Sequence, residues 1–329
     1  MRLLVTGGCG FIGSNFILYI LKKYPSYEII NLDKLTYAGN KKNLESLKDS
    51  KRYTFVKGDI CDKKLVNSLV SKVDIIVHFA AESHVDRSIN DSDPFIMTNI
   101  IGTKILLDAA LNTGRKRFHH ISTDEVFGDL KEEGKFSENT PYNPHSPYSA
   151  SKASSDHLVR AYYHTYGLPI TISNCSNNYG PYQFPEKLIP LFITNLIEGR
   201  KVPVYGEGKN IRDWIFVDDH NEAVDMIIHK GKIGETYCIG GNCELRNIDI
   251  TKIILKEFDK DENMITYVQD RKGHDFRYAI NFSKITKELG WKPKHKFKQG
   301  LKETIEWYRK NPEWWEPLKK RVIKDITSK

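Results

Sequence analysis

Two carboxylic acids in succession, Asp124 and Glu125, follow Thr123 at the end of an apolar run, HHIS. An acid and a base side by side can remove water from a substrate that has first been oxidised, the base taking a proton and the acid supplying one to the leaving hydroxyl. The oxidation itself points to Tyr148 and Lys152, spaced i and i+4 and so on one face of a helix. A lysine ammonium beside a phenol favours the phenolate, and each unit removed from the tyrosine pKa of about 10 is worth about 1.4 kcal/mol. Tyr148 is therefore expected to accept the proton of a substrate hydroxyl.

Hydride transfer needs a dinucleotide, and residues 3–13, LLVTGGCGFIG, read as a strand, a glycine turn and a helix start. Gly7 allows the tight turn, Gly10 lets a pyrophosphate approach the backbone at the helix N-terminus, and Gly13 lets the helix pack close to the sheet. Asp33 closes the second apolar run, where a carboxylate accepts hydrogen bonds from the adenosine ribose. An unphosphorylated ribose suits that carboxylate better than a 2′-phosphate, so NAD is expected rather than NADP. Asp59 and Ile60, then Ala80 and Ala81, fall at the C-terminal ends of the next two strands, where open parallel sheets bind ligands.

These motifs hang on apolar, β-branched runs at 3–5, 28–32, 53–56, 74–79, 118–122 and 170–173, alternating with helical patterns. The fold class is α/β, a Rossmann-type doubly wound parallel sheet with helices on both faces. Ser146 as N-cap, Pro147 in the first turn and Gly167 at the end punctuate the helix that carries Tyr148 and Lys152. After Asn174 the alternation gives way to Pro- and Gly-rich connections, a strand at 214–217 and helices at 218–229, 247–258, 283–289 and 297–308. These predict a smaller mixed α/β C-terminal substrate-binding lobe. The expected division is residues 1–176 and 213–239 for the NAD-binding domain, and 177–212 and 240–329 for the second lobe.

With 329 residues, 40% of them hydrophobic and 28% charged, the chain makes one large domain or two closely packed ones. Its five cysteines are scattered with no CxxC pair, so neither a disulfide framework nor a metal site is expected. A net charge of +8 could suit nucleic acid, but the lysines are interleaved with acids and form no stripe beside aromatics. The basic residues Lys319, Lys320, Arg321 and Lys324 read as an exposed amphipathic helix. With no charged leader and no long apolar stretch read at its start, the chain is expected to be cytoplasmic, without membrane or nucleic-acid partners.

The blocks GGCGFIGS and YSASK are similar to the extended short-chain dehydrogenase/reductase superfamily. Over nearly the whole chain, NLDKLTYAGN, AAESHVDRSI, STDEVFGDL, NCSNNYGPYQFPEKLIP, IRDWIFVDDH and GHDFRYAI resemble the dTDP-glucose 4,6-dehydratase family within it. The resemblance implies oxidation at carbon 4 by Tyr148 and NAD, with Thr123 bonding the same oxygen. Proton abstraction from carbon 5 by Glu125 and protonation of the departing 6-hydroxyl by Asp124 follow, and hydride returns to carbon 6. It adds Phe11, Ile12, Lys34, Leu35, Thr36, Ser83, Thr98 and Asn178 on the cofactor side. On the nucleotide-sugar side it adds Ser83, Asn177, Lys187, Leu188, Pro203, Tyr205, Arg212, Asn247, Arg271, His274 and Tyr278, the two arginines facing the diphosphate.

A homodimer through helices at 94–112 and 146–166, and a product destined for rhamnose-type deoxysugars, are implied in the same way. Lys272 and Asn281 depart from the proline and aspartate common in the family. Three alternatives stay open on the residues alone. One is a dehydratase for a UDP- or CDP-sugar. Another is a nucleotide-sugar 4-epimerase, which has no use for Asp124 and Glu125. The third is a non-enzymatic NAD sensor, which has no use for Tyr148 and Lys152.

Overall fold

The structure, a computed structural model, describes residues 1–270 and 273–327, with side chains through 321. Seven parallel strands form the main sheet: β1 (Arg2–Thr6), β2 (Glu28–Asp33), β3 (Tyr53–Lys57), β4 (Ile75–His78), β5 (Arg117–Thr123), β6 (Ile170–Cys175) and β10 (Thr236–Ile239). Their order is β10-β6-β5-β4-β1-β2-β3. The six strands expected from the sequence are all present; the seventh, TYCI, is too short to be recognised by its pattern. Leu3, Leu4 and Val5 are wholly buried because helices cover both faces, which is why the strands read as continuous apolar runs. The winding direction reverses where β1 lies between β2 and β4, and there a crevice opens beyond the strand C-termini.

The Pro147–Tyr166 helix begins in a capping box between Ser146 and Ser149 and ends at Gly167, whose φ of 66° is left-handed. Asn99 Nδ2 bonds Ser151 Oγ (2.8 Å) and Glu82 O (3.0 Å), tying the Asp93–Asn112 helix to it. At 20 residues, that second helix is long and apolar enough to meet the length and composition of a membrane span. Half of its most apolar window is buried in the protein, while Ile96, Met97 and Ile101 face outward.

The second lobe holds a three-stranded sheet of β7 (Asn177–Tyr179), β9 (Ile211–Phe216) and β11 (Glu244–Arg246), and a parallel pair of β8 (Val202–Tyr205) and β12 (Ile265–Val268). Its core is aromatic, with Tyr179, Trp214, Phe216, Trp314 and Trp315 in one cluster. Ile285 and Trp291, from the stretch assigned to this lobe, belong to the hydrophobic cluster of the first lobe that includes Leu3 and Val5. Asn281 caps the Ser283–Leu289 helix through the Ser283 N–H (2.9 Å), a task an aspartate would share. The Pro312–Thr327 helix differs from the exposed basic helix expected, because Lys319 is buried and pairs with Glu198 at 2.8 Å. In the same helix Trp314 donates to Asn43 Oδ1 (2.8 Å), and Asn43 donates to Cys9 O (3.0 Å) in the glycine turn.

Four histidines, His78, His119, His120 and His220, lie inside the first lobe, each 1% exposed or less. Burial pushes all four below the ordinary imidazole range, His120 to about 4 and His220 to about 3. An unfolded chain takes up these protons from about pH 6.5 downward while the folded one refuses them, so stability is full above that pH and falls as acid is added. Urea midpoints measured between pH 7 and 5 are expected to drop steadily, each histidine contributing up to about 1.4 kcal/mol per pH unit. His220→Leu, at a ring with no hydrogen-bond partner among the described residues, is expected to make that slope shallower.

Candidate active site

The helix Phe11–Lys23 starts at Gly10 with no side-chain cap and no acid in its first turn, leaving its N-terminal N–H groups for an anion. Gly7 has φ +71°, and a Cβ there would lie 2.6 Å from the Ala80 backbone. A Cβ at Gly13 would lie 2.5 Å from Gly7 O, so the turn closes only around bare backbone. Asp33 is buried at the edge of this turn, its two oxygens accepting the N–H groups of Cys9 (2.8 Å) and Leu35 (2.7 Å). Across the crevice Lys34 pairs with Asp59 at 2.7 Å. Burial favours the neutral Asp59 carboxyl, but Lys34 and the Cys61 N–H outweigh it and hold the group below its usual range.

One cleft runs from these residues to the ends of β5 and β6. Of the expected cofactor residues, Gly7, Gly10, Phe11, Ile12, Gly13, Asp33, Lys34, Thr36, Asp59, Ile60, Ala80, Ala81, Ser83, Thr98, Tyr148, Lys152 and Asn178 all line it. Leu35 does not: its backbone is left-handed at φ 58°, and it serves the site through the N–H given to Asp33. The cradle fits a dinucleotide, with unoccupied helix N–H groups at one point and an acceptor carboxylate at another.

Thr123, Asp124, Glu125, Tyr148 and Lys152 all line the inner part of the same cleft. The chain turns sharply after β5 into a 3-10 helix, Asp124–Phe127, closed by Gly128 at φ 86°. Thr123 Oγ1 accepts the Glu125 N–H and donates to Asp124 Oδ1, both at 3.3 Å. Burial, then the charges of Glu125 and Asp213, push the Asp124 carboxyl well above its ordinary range, toward its protonated form. Its Oδ2 has no partner among the described residues. Lys152 Nζ donates to Ile121 O (2.8 Å), and burial lowers its ammonium to about 8.

The phenol departs from the sequence-based expectation. Burial, and then the neighbouring Glu125, Cys175 and Asp124, push Tyr148 well above 10, so the isolated cleft favours the protonated phenol over the phenolate. The i, i+4 spacing puts Lys152 on the same helix face, but desolvation and carboxylates dominate the balance.

On the substrate side, Ser83, Asn177 and Lys187 line the cleft, and Lys187 Nζ donates to Ser83 O at 3.3 Å. Leu188, Pro203, Tyr205, Arg212, Asn247, His274 and Tyr278 lie outside its lining, on elements of the second lobe. Arg212 is buried, stacked 4.2 Å from the Tyr278 ring and donating to the carbonyls of Ile211, Phe276 and Asp275. His274 packs edge-on to Tyr205 and bonds Asp270 (2.7 Å), while Asn247 starts its helix with Oδ1 unpartnered among the described residues. Arg271 and Lys272 lie outside the described residues. Sequence reasoning missed Tyr37, Glu82, Gln183, Phe184 and Glu186, which also line the cleft. Their signal lay beside Ser83 and Lys187, but isolated carboxylates read as solvated surface until the fold buries them.

Gly13→Ala is expected to cost about 1–3 kcal/mol, read as a lower melting temperature, and to abolish dinucleotide retention through gel filtration. Gly10→Ala, whose Cβ would approach only Gly7 O at 3.3 Å, should keep the melting temperature of the unliganded protein yet weaken dinucleotide binding about tenfold or more.

A sequence model of the GDP-mannose 4,6 dehydratase family matches residues 4–304. The dTDP-glucose 4,6-dehydratase of Xanthomonas campestris pv. campestris is 53% identical over 331 residues, spanning 94% of each chain. The crystal structure of a Streptomyces venezuelae dTDP-glucose 4,6-dehydratase with NAD bound superposes with a TM-score of 0.95 at 51% identity, covering 97% of this chain and 100% of that one. A UDP-glucose 4-epimerase of Thermotoga maritima, solved with UDP-glucose, reaches 0.87 at 29% identity, covering 94% and 99%.

Proposed function

The chain belongs to the GDP-mannose 4,6-dehydratase family, and we propose that it converts dTDP-glucose to dTDP-4-keto-6-deoxyglucose and water as an NAD-dependent hydro-lyase. The observation that carries the reading is the pairing of Asp124, buried and with an oxygen unpartnered among the described residues, with Glu125 in the cleft that also holds Tyr148 and Lys152. An epimerase shares the fold at a TM-score of 0.87 and needs only the last two. A buried carboxyl, Asp124, beside a second one, Glu125, is the specific support for elimination.

NAD, when bound, accepts hydride from carbon 4 of the glucosyl unit and returns it at carbon 6. Gly7, Gly10 and Gly13 admit its pyrophosphate to the helix N-terminus, and Asp33 holds its adenosine ribose. Tyr148, acting as the phenolate that the Lys152 ammonium on the same helix face favours, takes the proton of the 4-hydroxyl and becomes the neutral phenol, with Thr123 bonding the same oxygen. The resulting ketone acidifies the carbon 5 proton, which Glu125 removes. Asp124 gives its proton to the 6-hydroxyl, the carbon–oxygen bond breaks and water departs. Reprotonation at carbon 5 accompanies the return of hydride.

For the nucleotide end, Asn177, Lys187, Leu188, Pro203, Tyr205, Arg212, Asn247, His274 and Tyr278 hold the thymidine diphosphate, Arg212 supplying positive charge from a fixed, stacked position. The two lobes divide the work as cofactor-binding and nucleotide-sugar-binding units. The enzyme is a homodimer in which the outward Ile96, Met97 and Ile101 meet their counterparts on a second copy. It works in the cytoplasm, in keeping with its five free thiols, and its product feeds rhamnose-type deoxysugar synthesis.

The test is mass spectrometry of dTDP-glucose incubated with the purified protein in deuterated water without added NAD. Loss of one water with deuterium at carbon 5 is expected; unchanged mass with conversion to the galactose epimer would select epimerisation. Glu125→Gln is expected to form enzyme-bound NADH on mixing with substrate, seen as near-ultraviolet absorbance, but to lose product formation by about a hundredfold or more. Full product formation by that variant would exclude Glu125 as the base.

A further inference from the structure

His145 stands shortly before Tyr148, in the loop that leads into the Pro147–Tyr166 helix, and the chemistry above gives it no role. Its loop is anchored to the turn that bears the acid and the base. The Asn143 N–H bonds Val126 O at 3.0 Å, and a Cβ at Gly128 would lie 2.3 Å from Asn143 O. From that anchorage the His145 ring reaches a stretch far away in the chain, its Nδ1 2.6 Å from Asp275 Oδ1. Asn143 Nδ2 lies 3.0 Å from the other ring nitrogen, Nε2. An amide NH2 only donates, so Nε2 is the acceptor and the proton of the neutral ring sits on Nδ1, aimed at the carboxylate.

Asp275 is the hub of its own stretch. Its second oxygen, Oδ2, accepts the Tyr278 hydroxyl, and its backbone carbonyl accepts Arg212 Nη2 (2.9 Å) and Asn210 Nδ2 (3.2 Å). The Arg212 guanidinium rests in turn on the Tyr278 ring, 4.2 Å from its centre. The Asp275 side chain is 8% exposed and that of His145 39%, so a ring at the rim orients a carboxylate inside.

We propose that His145 is a positioning residue for the nucleotide site. By holding Asp275 it sets Tyr278 and Arg212 at a fixed reach from the helix that carries Tyr148 and from the Asp124–Phe127 turn. The proposal rests on the function above for what Arg212 and Tyr278 bind, while the clasp itself does not.

A nucleotide sugar is gripped at one end and altered at the other, so the distance between grip and reacting groups must be held closely. An arginine and a tyrosine already fixed lose little rotamer freedom when the diphosphate arrives, whereas loose ones lose more and bind more weakly. Backbone ties hold the 277–279 stretch independently: Leu130 N to Arg277 O (3.0 Å), Arg277 N to Asp129 Oδ1 (2.9 Å) and Phe136 N to Ala279 O (2.8 Å). The chain path therefore survives without the His145 ring, and what the ring adds is the orientation of the carboxylate.

The experiment combines calorimetry of dTDP binding to the NAD-loaded enzyme, steady-state kinetics with dTDP-glucose, and backbone hydrogen exchange over 274–279. His145→Ala is expected to weaken dTDP binding about tenfold and raise KM in step, with kcat falling no more than about threefold, and to speed that exchange. His145→Asn, whose amide nitrogen falls where Nδ1 stands, is expected to restore most of the affinity. Asp275→Asn is expected to cost at least as much as His145→Ala, and the double variant no more than Asp275→Asn alone, because the ring acts through the carboxylate. Where Asp275→Asn does not fold, the two His145 variants carry the test. Unchanged dTDP affinity in His145→Ala, a loss confined to kcat, or losses that add in the double variant would overturn the proposal. Wild-type enzyme that binds no dTDP, beside faster exchange over 274–279 in His145→Ala, would sink the nucleotide reading and leave the clasp standing. Unchanged exchange there would sink the clasp whichever nucleotide binds.

Discussion

Desolvation at the C-terminal end of β5 is the constraint on which the chemistry depends. Water is kept from Asp124, Tyr148 and Lys152 together, and each responds by favouring its neutral form. For Asp124 that response is an asset, since an acid must hold its proton until the leaving group needs it. For Tyr148 and Lys152 it is an obstacle, since their task requires opposite charges to appear and be tolerated. One site thus asks its environment for two contrary things within a few residues. It meets both by giving the ammonium the Ile121 carbonyl and the acid its carboxyl neighbours.

The scaffold makes that arrangement possible by bringing two strand ends and a helix to one line. β5 delivers Thr123 and the acid–base pair, β6 delivers Cys175 and Asn174, and the helix between them returns antiparallel so that Tyr148 and Lys152 lie over the same edge. The crossover geometry of a doubly wound sheet does this without any residue having to adopt a strained backbone at the reacting groups. Positive φ values sit instead at Gly7, Leu35 and Gly128, in the turns that frame the cleft.

Much of this was legible in the sequence, because strands buried on both faces write continuous apolar runs and because the glycine turn, the helix caps and the i, i+4 pair are local patterns. Leu35 stands outside the cleft lining and serves Asp33 through its backbone N–H, a role that no side-chain pattern announces. The burial of Tyr148 and the carboxylates around it were out of reach, because pairwise spacing reveals Lys152 but not the neighbours that oppose it. Glu186 and Tyr37 were passed over because only the folded chain brings 37, 82–87 and 183–187 together. The same holds for Lys319, whose burial depends on Glu198 from a segment far away in the chain.

The link from Trp314 through Asn43 to Cys9 has a temporal consequence. Synthesis proceeds from the N-terminus at about 5–20 residues per second, and domains fold as they emerge. The ring that steadies Asn43 is translated some three hundred residues after Cys9, on the order of tens of seconds later. During that interval the glycine turn is formed but unbraced, with the Asn43 amide oxygen left to water. The glycine turn is therefore braced only by a residue made much later in synthesis.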